Sequence, residues 1–600
     1  MLTPRQQFLQ TLSRRLEGLG FQIFQFGAVL LILAIAMTLL LRSRPLAVAE
    51  PEVSLHIGEA GADTAVPVPI SQPAAASADS TDARPAAAPM GGKPAGPVDA
   101  ADILDKLAAN RQEYGVLPDD YLLRFKTLAD FRAFLEKAVR AGLTVRDSSE
   151  GLLTVRFTAA SLAEWRELLN EFDPADMEYT IEYALPGNPD PALLPALAGY
   201  QGFGNGTLAW LGVKAVSPDW GKGVVVAVLD TQIMAHSALN PGHFRQIDLR
   251  SGSDPGTGEY AFHGTAVASL IAGDADNIHG LAPGVDILSI PVLDSNGYGD
   301  ALTLAKAITA AVDNGADIIN MSLGSYGDSK VVRQAIAYAT DKGVVMVAST
   351  GNDGLAQATY PAGYDGVIGV GGVDLTSRRL DFSNYGPHTD IMGPAQEVWA
   401  AGPNNGTASF TGTSAATPHV AGSIAAILSE NGEMTAREAE RLVLTYTNDA
   451  GPPGPDEVYG TGNLNIGQVI NRNTPGIVNP AVADIFLPDA QMPAAGTTLP
   501  GTINIQNRGT VPVAKAIVNV EINGIAQTYP VYDLAPNTSA PIDISIPAEQ
   551  ILPTGTPIRA TLTASDPMDS KPGDNIVSDT LFLAAAATPA APARCPISQQ

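Results

Sequence analysis

Between residues 223 and 445 the chain alternates short, almost continuous apolar runs with stretches of helical character. The runs at 223–230, 285–293, 316–323, 344–349 and 367–373 lack the in-out alternation of a strand with one wet face. Each is therefore predicted as a strand covered on both sides. Helices are predicted at 301–314, 330–342 and 436–445. Alternation of this kind calls for a parallel sheet with helices on both faces, a doubly wound α/β layer.

The flanks follow different patterns. Upstream, predicted strands at 121–126, 143–146, 152–158 and 177–185 and helices at 128–141 and 161–172 give the order β-α-β-β-α-β, a ferredoxin-like α+β unit. After Asn473-Thr-Pro-Gly476 the period becomes two, with strands at 501–506, 516–522, 543–546 and 559–564 and a hairpin turn at Asn523-Gly524. Seven or so short strands of this kind imply a β-sandwich. Residues 50–98 are rich in Ala, Pro, Ser and Gly without apolar periodicity and read as a disordered tether.

The first residues supply an address. Residues 26–41 are an apolar run, preceded by Arg14-Arg15 and followed by Arg42 and Arg44. The run is short for a spanning helix and long for the core of a signal peptide. An uncleaved membrane anchor is the favoured reading, and a signal cut after Ala49, at Ala47-Val-Ala49, is the alternative. The net charge of −27 argues against a nucleic-acid footprint. It suits a protein whose main body lies outside the cytoplasm, periplasmic or extracellular. Cys595 is the single cysteine, so no intrachain disulfide forms.

Three segments carry chemistry. Asp230 closes the run at 223–230, at the carboxyl end of a strand, where open α/β sheets place their sites. His263 opens the small-residue stretch Phe262-His-Gly-Thr-Ala-Val-Ala-Ser. Ser414 lies between a Gly-Thr turn and an apolar helix expected to carry Pro418 in its first turn. A serine hydroxyl at a helix N-terminus sits where the dipole favours developing negative charge, as an acyl-transfer nucleophile requires. Each residue alone has a structural explanation, but the order Asp, His, Ser is that of subtilisin.

The chain resembles the subtilisin-like serine proteases over residues 204 to about 471. The resemblance rests on Asp230-Thr231, His263-Gly264-Thr265 and Gly412-Thr413-Ser414-Ala415-Ala416-Thr417-Pro418-His419, with Gly280-Leu-Ala-Pro283, Asn320-Met-Ser-Leu-Gly324, Ser349-Thr-Gly-Asn352, Tyr360-Pro-Ala362 and Phe382-Ser-Asn-Tyr-Gly386 between them. It implies a nucleophile at Ser414, a general base and acid at His263, an orienting carboxylate at Asp230 and an oxyanion donor at Asn352. It also implies substrate contacts at Ser322, Leu323, Gly324, Gly351 and Thr359. Thr359 stands where roomy pockets of the family have glycine, which predicts a narrowed S1 slot with Asp353 at its rim. The upstream unit resembles the family's inhibitory prodomain.

The expected organisation is a cytoplasmic stub and anchor or signal (1–49), a linker (50–100), a ferredoxin-like propeptide domain (101–186) and a second linker (187–203). The protease domain (204–473), a β-sandwich (474–583) and a flexible tail (584–600) follow. Asn507-Arg-Gly-Thr-Val-Pro-Val and Gly573-Asp-Asn575 give the sandwich a resemblance to the bacterial cell-adhesion-related CARDB module. The expected partners are peptide substrates, the prodomain as an intramolecular inhibitor, and a membrane through the N-terminal helix, with no nucleic acid. A catalytically silent adhesion protein on the same scaffold is the alternative function.

Several positions depart from the family pattern. Gln232 replaces a glycine after the aspartate, Phe262 a glycine before the histidine, Ala266 a histidine in that helix and Ala415 a methionine after the nucleophile. No cofactor is expected. Calcium is a family habit, but the Asp274-Ala-Asp-Asn-Ile-His279 loop is short and reads better as a solvated turn. No Cys/His set has zinc spacing, and His236 and His243 stand isolated.

Overall fold

The computed structural model describes residues 116–140, 144–158, 177–186, 200–250, 256–487, 493–494, 496–552, 554–564 and 569–581. The apolar run at 26–41, the linker at 50–100, the predicted helix at 161–172, residues 187–199 and the tail with Cys595 lie outside the described residues. Among the described residues no helix is long and apolar enough to cross a membrane.

The upstream unit comprises β1 (Val116–Phe125), α1 (Leu128–Arg140), β2 (Thr144–Ser149), β3 (Thr154–Thr158) and β4 (Met177–Pro186). Its strands pair antiparallel in the order β4-β1-β3-β2, the ferredoxin-like order. Phe125, Phe134 and Phe157 are fully buried between the sheet and α1.

The central layer is a seven-stranded parallel sheet. Its elements in chain order are β5 (Val225–Asp230), β6 (Phe244–Gln246), α2 (His263–Ala272), β7 (Asp286–Pro291), β8 (Tyr298–Asp300), α3 (Ala301–Asp313), β9 (Ile318–Met321), α4 (Lys330–Asp341), β10 (Val345–Ser349), β11 (Val367–Val373), β12 (Ile391–Pro394), α5 (Thr413–Leu428) and α6 (Ala436–Thr445). Strand β8 lies outside this sheet, whose order is β12-β11-β10-β9-β5-β7-β6. Val226 and Val228 of β5 face a core shared with α2 and α5, while Ala227 and Leu229 face a second core under α3 and α4. Covering on both faces is what the continuous apolar runs anticipate.

The run expected to continue to residue 293 ends as a strand at Pro291. Val292 and Leu293 instead donate their N–H groups to the Asp230 carbonyl, at 2.8 and 3.1 Å, which turns the chain. Strands β6 and β12 are not anticipated by the pattern. They are edge strands of three and four residues, and β6 exposes Arg245 and Gln246, so neither presents a long apolar run.

Strand β4 adds its free edge to β8, pairing Leu185 with Gly299 antiparallel. Leu122 and Leu152 of the upstream unit join the core under α3. Two ion pairs flank this contact. Arg156 meets Asp300 at 2.7 Å and Lys306 meets Asp147 at 2.9 Å. Asp300 also caps α3, accepting from the Thr303 N–H at 2.8 Å.

Beyond residue 479 lie β13 (Pro480–Phe486), β14 (Thr498–Asn507), β15 (Val513–Ile522), β16 (Ile525–Leu534), β17 (Ser539–Pro547), β18 (Thr556–Ala564) and β19 (Ile576–Leu581). They form antiparallel sheets β13-β14-β17 and β16-β15-β18-β19 around one apolar core. Asn523 and Gly524 make the two-residue turn between β15 and β16, both with positive φ.

This β-region meets the central layer through polar groups. Asn504 donates to Asp449 at 2.8 Å, Gln506 to the Thr447 carbonyl at 2.8 Å, and the Gly451 N–H to Asp484 at 2.7 Å. Burial, reinforced by the nearby Asp579 and Asp449, pushes the Asp484 carboxyl up to about 6. The folded state thus retains a proton that an unfolded chain releases near pH 4. The associated stability is present below that lower value and lost as pH rises through 6. In urea titrations, wild type should lose on the order of 1–3 kcal/mol relative to Asp484→Ala between pH 4 and 7. A pH-independent difference between the two proteins would contradict this placement of Asp484.

Candidate active site

Four segments converge at the carboxyl end of the sheet. Leaving β5, the chain passes to β7 and β6 on one side and later crosses to β9 on the other, so β5 ends at the switch point of the topology. Asp230, its last residue, is fully buried. Its Oδ1 accepts from His263 Nδ1 at 2.7 Å and from the Thr231 N–H at 2.6 Å.

His263 is the first residue of α2, which abuts the end of β5. The Gly264 N–H donates to Thr231 Oγ1 at 2.9 Å, and a Cβ on Gly264 would stand 2.3 Å from the Thr231 carbonyl oxygen. Glycine is required for that approach. The His263 ring packs edge-on against Phe410, centroids 5.2 Å apart. Nδ1 donates to the carboxylate, and Nε2 is buried with no protein hydrogen-bond partner.

Ser414 is the second residue of α5. The helix begins at Thr413, after Gly412 in a positive-φ conformation, so Pro418 falls in the second turn and not the first as expected from sequence. A proline there has no N–H for the carbonyl four residues back. Ser322 Oγ donates to the Ser414 carbonyl at 3.1 Å, and Asn320 Nδ2 donates to Ser322 Oγ at 3.0 Å. The Ser414 hydroxyl in turn donates to the Ser322 carbonyl at 3.2 Å.

Asn352 follows β10. Its Oδ1 accepts from the Thr413 N–H at 2.9 Å and the Thr413 hydroxyl at 2.8 Å. That leaves Nδ2 buried and without a partner. His263 Nε2 and Asn352 Nδ2 are thus both buried without a protein hydrogen-bond partner.

The remaining expected contacts cluster around Thr359 and the Ser322–Gly324 backbone. Ser322 and Leu323 are fully buried, so a ligand would meet their backbone. A Cβ on Gly324 would stand 2.1 Å from Thr359 Oγ1, and one on Gly351 would stand 2.8 Å from Thr359 Cγ2. Thr359 therefore occupies the space between the two glycines, anchored by its hydroxyl to the Ser349 carbonyl at 3.1 Å. Asp353 accepts from the Tyr326 hydroxyl at 2.6 Å. Burial, aided by that hydrogen bond, raises the Tyr326 phenol pKa.

These contacts join Asp230 to His263 and Asn352 to Thr413, next to Ser414, and the ring against His263 is that of Phe410, four residues before Ser414. Sequence assigned no supporting role to Thr413 or Phe410, whose contacts with Asn352 and His263 span long sequence distances, nor to Asn320, whose partner Ser322 is only two residues away.

The sequence of this region matches the profile described as "Subtilase family" over residues 221–462. Subtilisin Savinase of Lederbergia lenta is 36% identical over 252 residues, covering 41% of this chain and 90% of the relative. Subtilisin DY of Bacillus licheniformis is 38% identical over 255 residues, with the same coverage of 41% and 90%. Alkaline elastase YaB of Bacillus sp. (strain YaB) is 40% identical over 218 residues, 35% of this chain and 56% of the relative. The chain belongs to the subtilase family. It is a serine endopeptidase of the subtilisin type, and the silent adhesion scaffold is set aside.

The calcium that the resemblance suggested does not fit the loop where it was sought. Residues 274–279 form a short hairpin with Asp274 and Asp276 exposed. Among the described residues no group of three His, Cys, Asp or Glu side chains is placed to hold a metal ion. His236 Nε2 donates to the Gly406 carbonyl at 3.0 Å while its Nδ1 accepts from the Ala238 N–H, and His243 pairs with Asp286.

The anchoring of Asn352 can be read as stability. Thr413→Val removes one of its two donors and should cost about 1 kcal/mol of unfolding free energy. Asn352→Leu strands both Thr413 donors and should cost roughly 2–3 kcal/mol. Urea denaturation in a Ser414→Ala background, which prevents self-digestion, checks the order, and equal costs would refute it.

Proposed function

We propose that this subtilase cleaves peptide bonds through an acyl-enzyme formed on Ser414, and that it is made as an autoinhibited, exported precursor. The observations that support the catalytic reading are the hydrogen bond that Asp230 Oδ1 accepts from His263 Nδ1 and the anchoring of Asn352 to Thr413, the residue before Ser414. The Ser414 hydroxyl turns from the Ser322 carbonyl toward His263 Nε2, surrenders its proton and attacks the scissile carbonyl. His263 then delivers that proton to the leaving amine, while Asp230 holds the ring tautomer and stabilises the imidazolium. Asn352 Nδ2 donates to the oxyanion of the tetrahedral intermediate. The backbone of Ser322-Leu323-Gly324 receives the substrate as an added strand.

The precursor reading is supported by β4, which runs from the upstream unit onto the edge of β8 and leads the chain toward the protease region. The contact of Leu122, Leu152, Arg156 and Asp147 with α3 and its N-cap is the surface by which the upstream unit would guide folding and block the site. Residues 26–41 would hold the protein at the membrane with the protease extracytoplasmic, and a cut between 187 and 203 would release it. The sandwich is read as a CARDB-like accessory module.

Intact mass and N-terminal sequencing of wild type beside Ser414→Ala, both expressed for export, test this reading. Wild type alone should be cut within residues 185–205, and the same data report any cut after Ala49. Identical processing of both proteins would mean that another protease matures the chain.

Thr359 between Gly324 and Gly351 predicts small or medium apolar side chains at P1. Thr359→Gly should shift preference toward Phe and Leu by roughly tenfold or more in kcat/KM on a peptide library. A wild-type enzyme already favouring Phe or Tyr would show that Thr359 does not bound the S1 slot.

A further inference from the structure

The motif Phe382-Ser-Asn-Tyr-Gly386 has no part in the chemistry so far, yet its central residue is fully buried against the loop that carries Asn352. The Asn384 side chain spends all of its hydrogen-bonding capacity on that loop and the slot wall. Oδ1 accepts from the N–H of Asp353 at 3.1 Å and of Leu355 at 2.9 Å. Nδ2 donates to the Thr350 carbonyl at 3.1 Å and to the Tyr326 hydroxyl at 2.8 Å. The partners fix the orientation of the amide, since N–H groups must face its oxygen and a carbonyl must face its nitrogen.

The backbone repeats the grip. The Asn384 N–H donates to the Gly351 carbonyl at 3.0 Å, and Thr350 Oγ1 donates to the Asn384 carbonyl at 3.1 Å. On either side, Gly354 N–H meets the Phe382 carbonyl at 2.7 Å and Tyr385 N–H meets the Leu355 carbonyl at 3.0 Å. Residues 350, 351, 353, 354 and 355 are thus bonded to this segment, while the Asn352 side chain reaches Thr413 instead.

Gly351 belongs to the same arrangement. Its φ is +109°, and a Cβ there would stand 2.4 Å from Asn384 Nδ2. The glycine before Asn352 makes room for the amide that clamps the loop.

We propose that Asn384 is a positioning residue for the oxyanion site: it fixes the 350–355 loop so that Asn352 Nδ2 meets the charge developing beside Ser414. This rests on the reading of Asn352 as the oxyanion donor. Without the clamp the loop can relax while Thr413 still holds Asn352 Oδ1, so the amide tilts and transition-state stabilisation falls. Ground-state binding, which uses the slot backbone, changes little.

The test is a double-mutant cycle on mature enzyme, with kcat and KM normalised by active-site titration and folding checked by thermal denaturation. Asn352→Ala should lower kcat on the order of 10²–10³, the magnitude that loss of one oxyanion donor costs in subtilisin itself. Asn384→Ala should lower kcat about 10–10²-fold with KM within about threefold, as expected for a small misplacement of a catalytic group. In the Asn352→Ala background the same substitution should cost less than about threefold. Asn384→Ser, which reaches fewer of the four partners, runs in parallel and carries the cycle if the alanine variant does not fold. Equal losses in both backgrounds, or a change confined to KM, would overturn the inference. An unchanged kcat in Asn352→Ala alone would instead remove the oxyanion reading beneath it.

Discussion

Burial of β5 on both faces is the constraint from which the site follows. Val226 and Val228 are packed on one side and Ala227 and Leu229 on the other, so the strand cannot slide or turn without exposing one set. Its end is therefore fixed, and a carboxylate appears there with no access to water. An unpaired charge in that place would be too costly, so the Asp230 carboxylate is held by the His263 ring and the Thr231 N–H. The imidazole is thereby given one tautomer and one orientation before any substrate arrives.

Ser414 is tied to the same sheet by a different substitution of bonds. A helix ordinarily satisfies the Ser414 carbonyl from within, but Pro418 has no hydrogen to offer. Ser322, just beyond β9, supplies its hydroxyl, and Asn320 within β9 aligns that hydroxyl. The proline thus replaces an internal helix bond with one that couples the helix to the strand end. Ser414 is consequently placed by β9 as well as by α5, and the segment Ser322-Leu323-Gly324 that would receive substrate shares that attachment.

Much of this was legible in local pattern. The apolar runs marked the buried strands because both faces of each are covered, and the contiguous motifs around Asp230, His263 and Ser414 marked the family. Pro418 was misplaced because a proline near a helix start reads as its first turn, whereas the positive φ of Gly412 starts the helix earlier. The clamp at Asn384, the Thr413 donors and the Phe410 ring left no periodic trace. Each acts across tens of residues on a partner whose position only the folded sheet determines. Strand β6 escaped for the opposite reason: an exposed edge needs no apolar run.

The two asparagines near Ser414 differ in how far their amides are satisfied within the protein. Asn384 fills every position its amide offers, and Asn352 fills its oxygen but leaves its nitrogen open. His263 likewise satisfies Nδ1 and leaves Nε2 open. Under the proposed reaction His263 Nε2 would receive the Ser414 proton and Asn352 Nδ2 would meet the oxyanion, and neither atom has a protein partner to give up first. Asn384, by contrast, is committed at all four positions to the loop that carries Asn352 and to Tyr326, so it can hold that loop without entering the reaction.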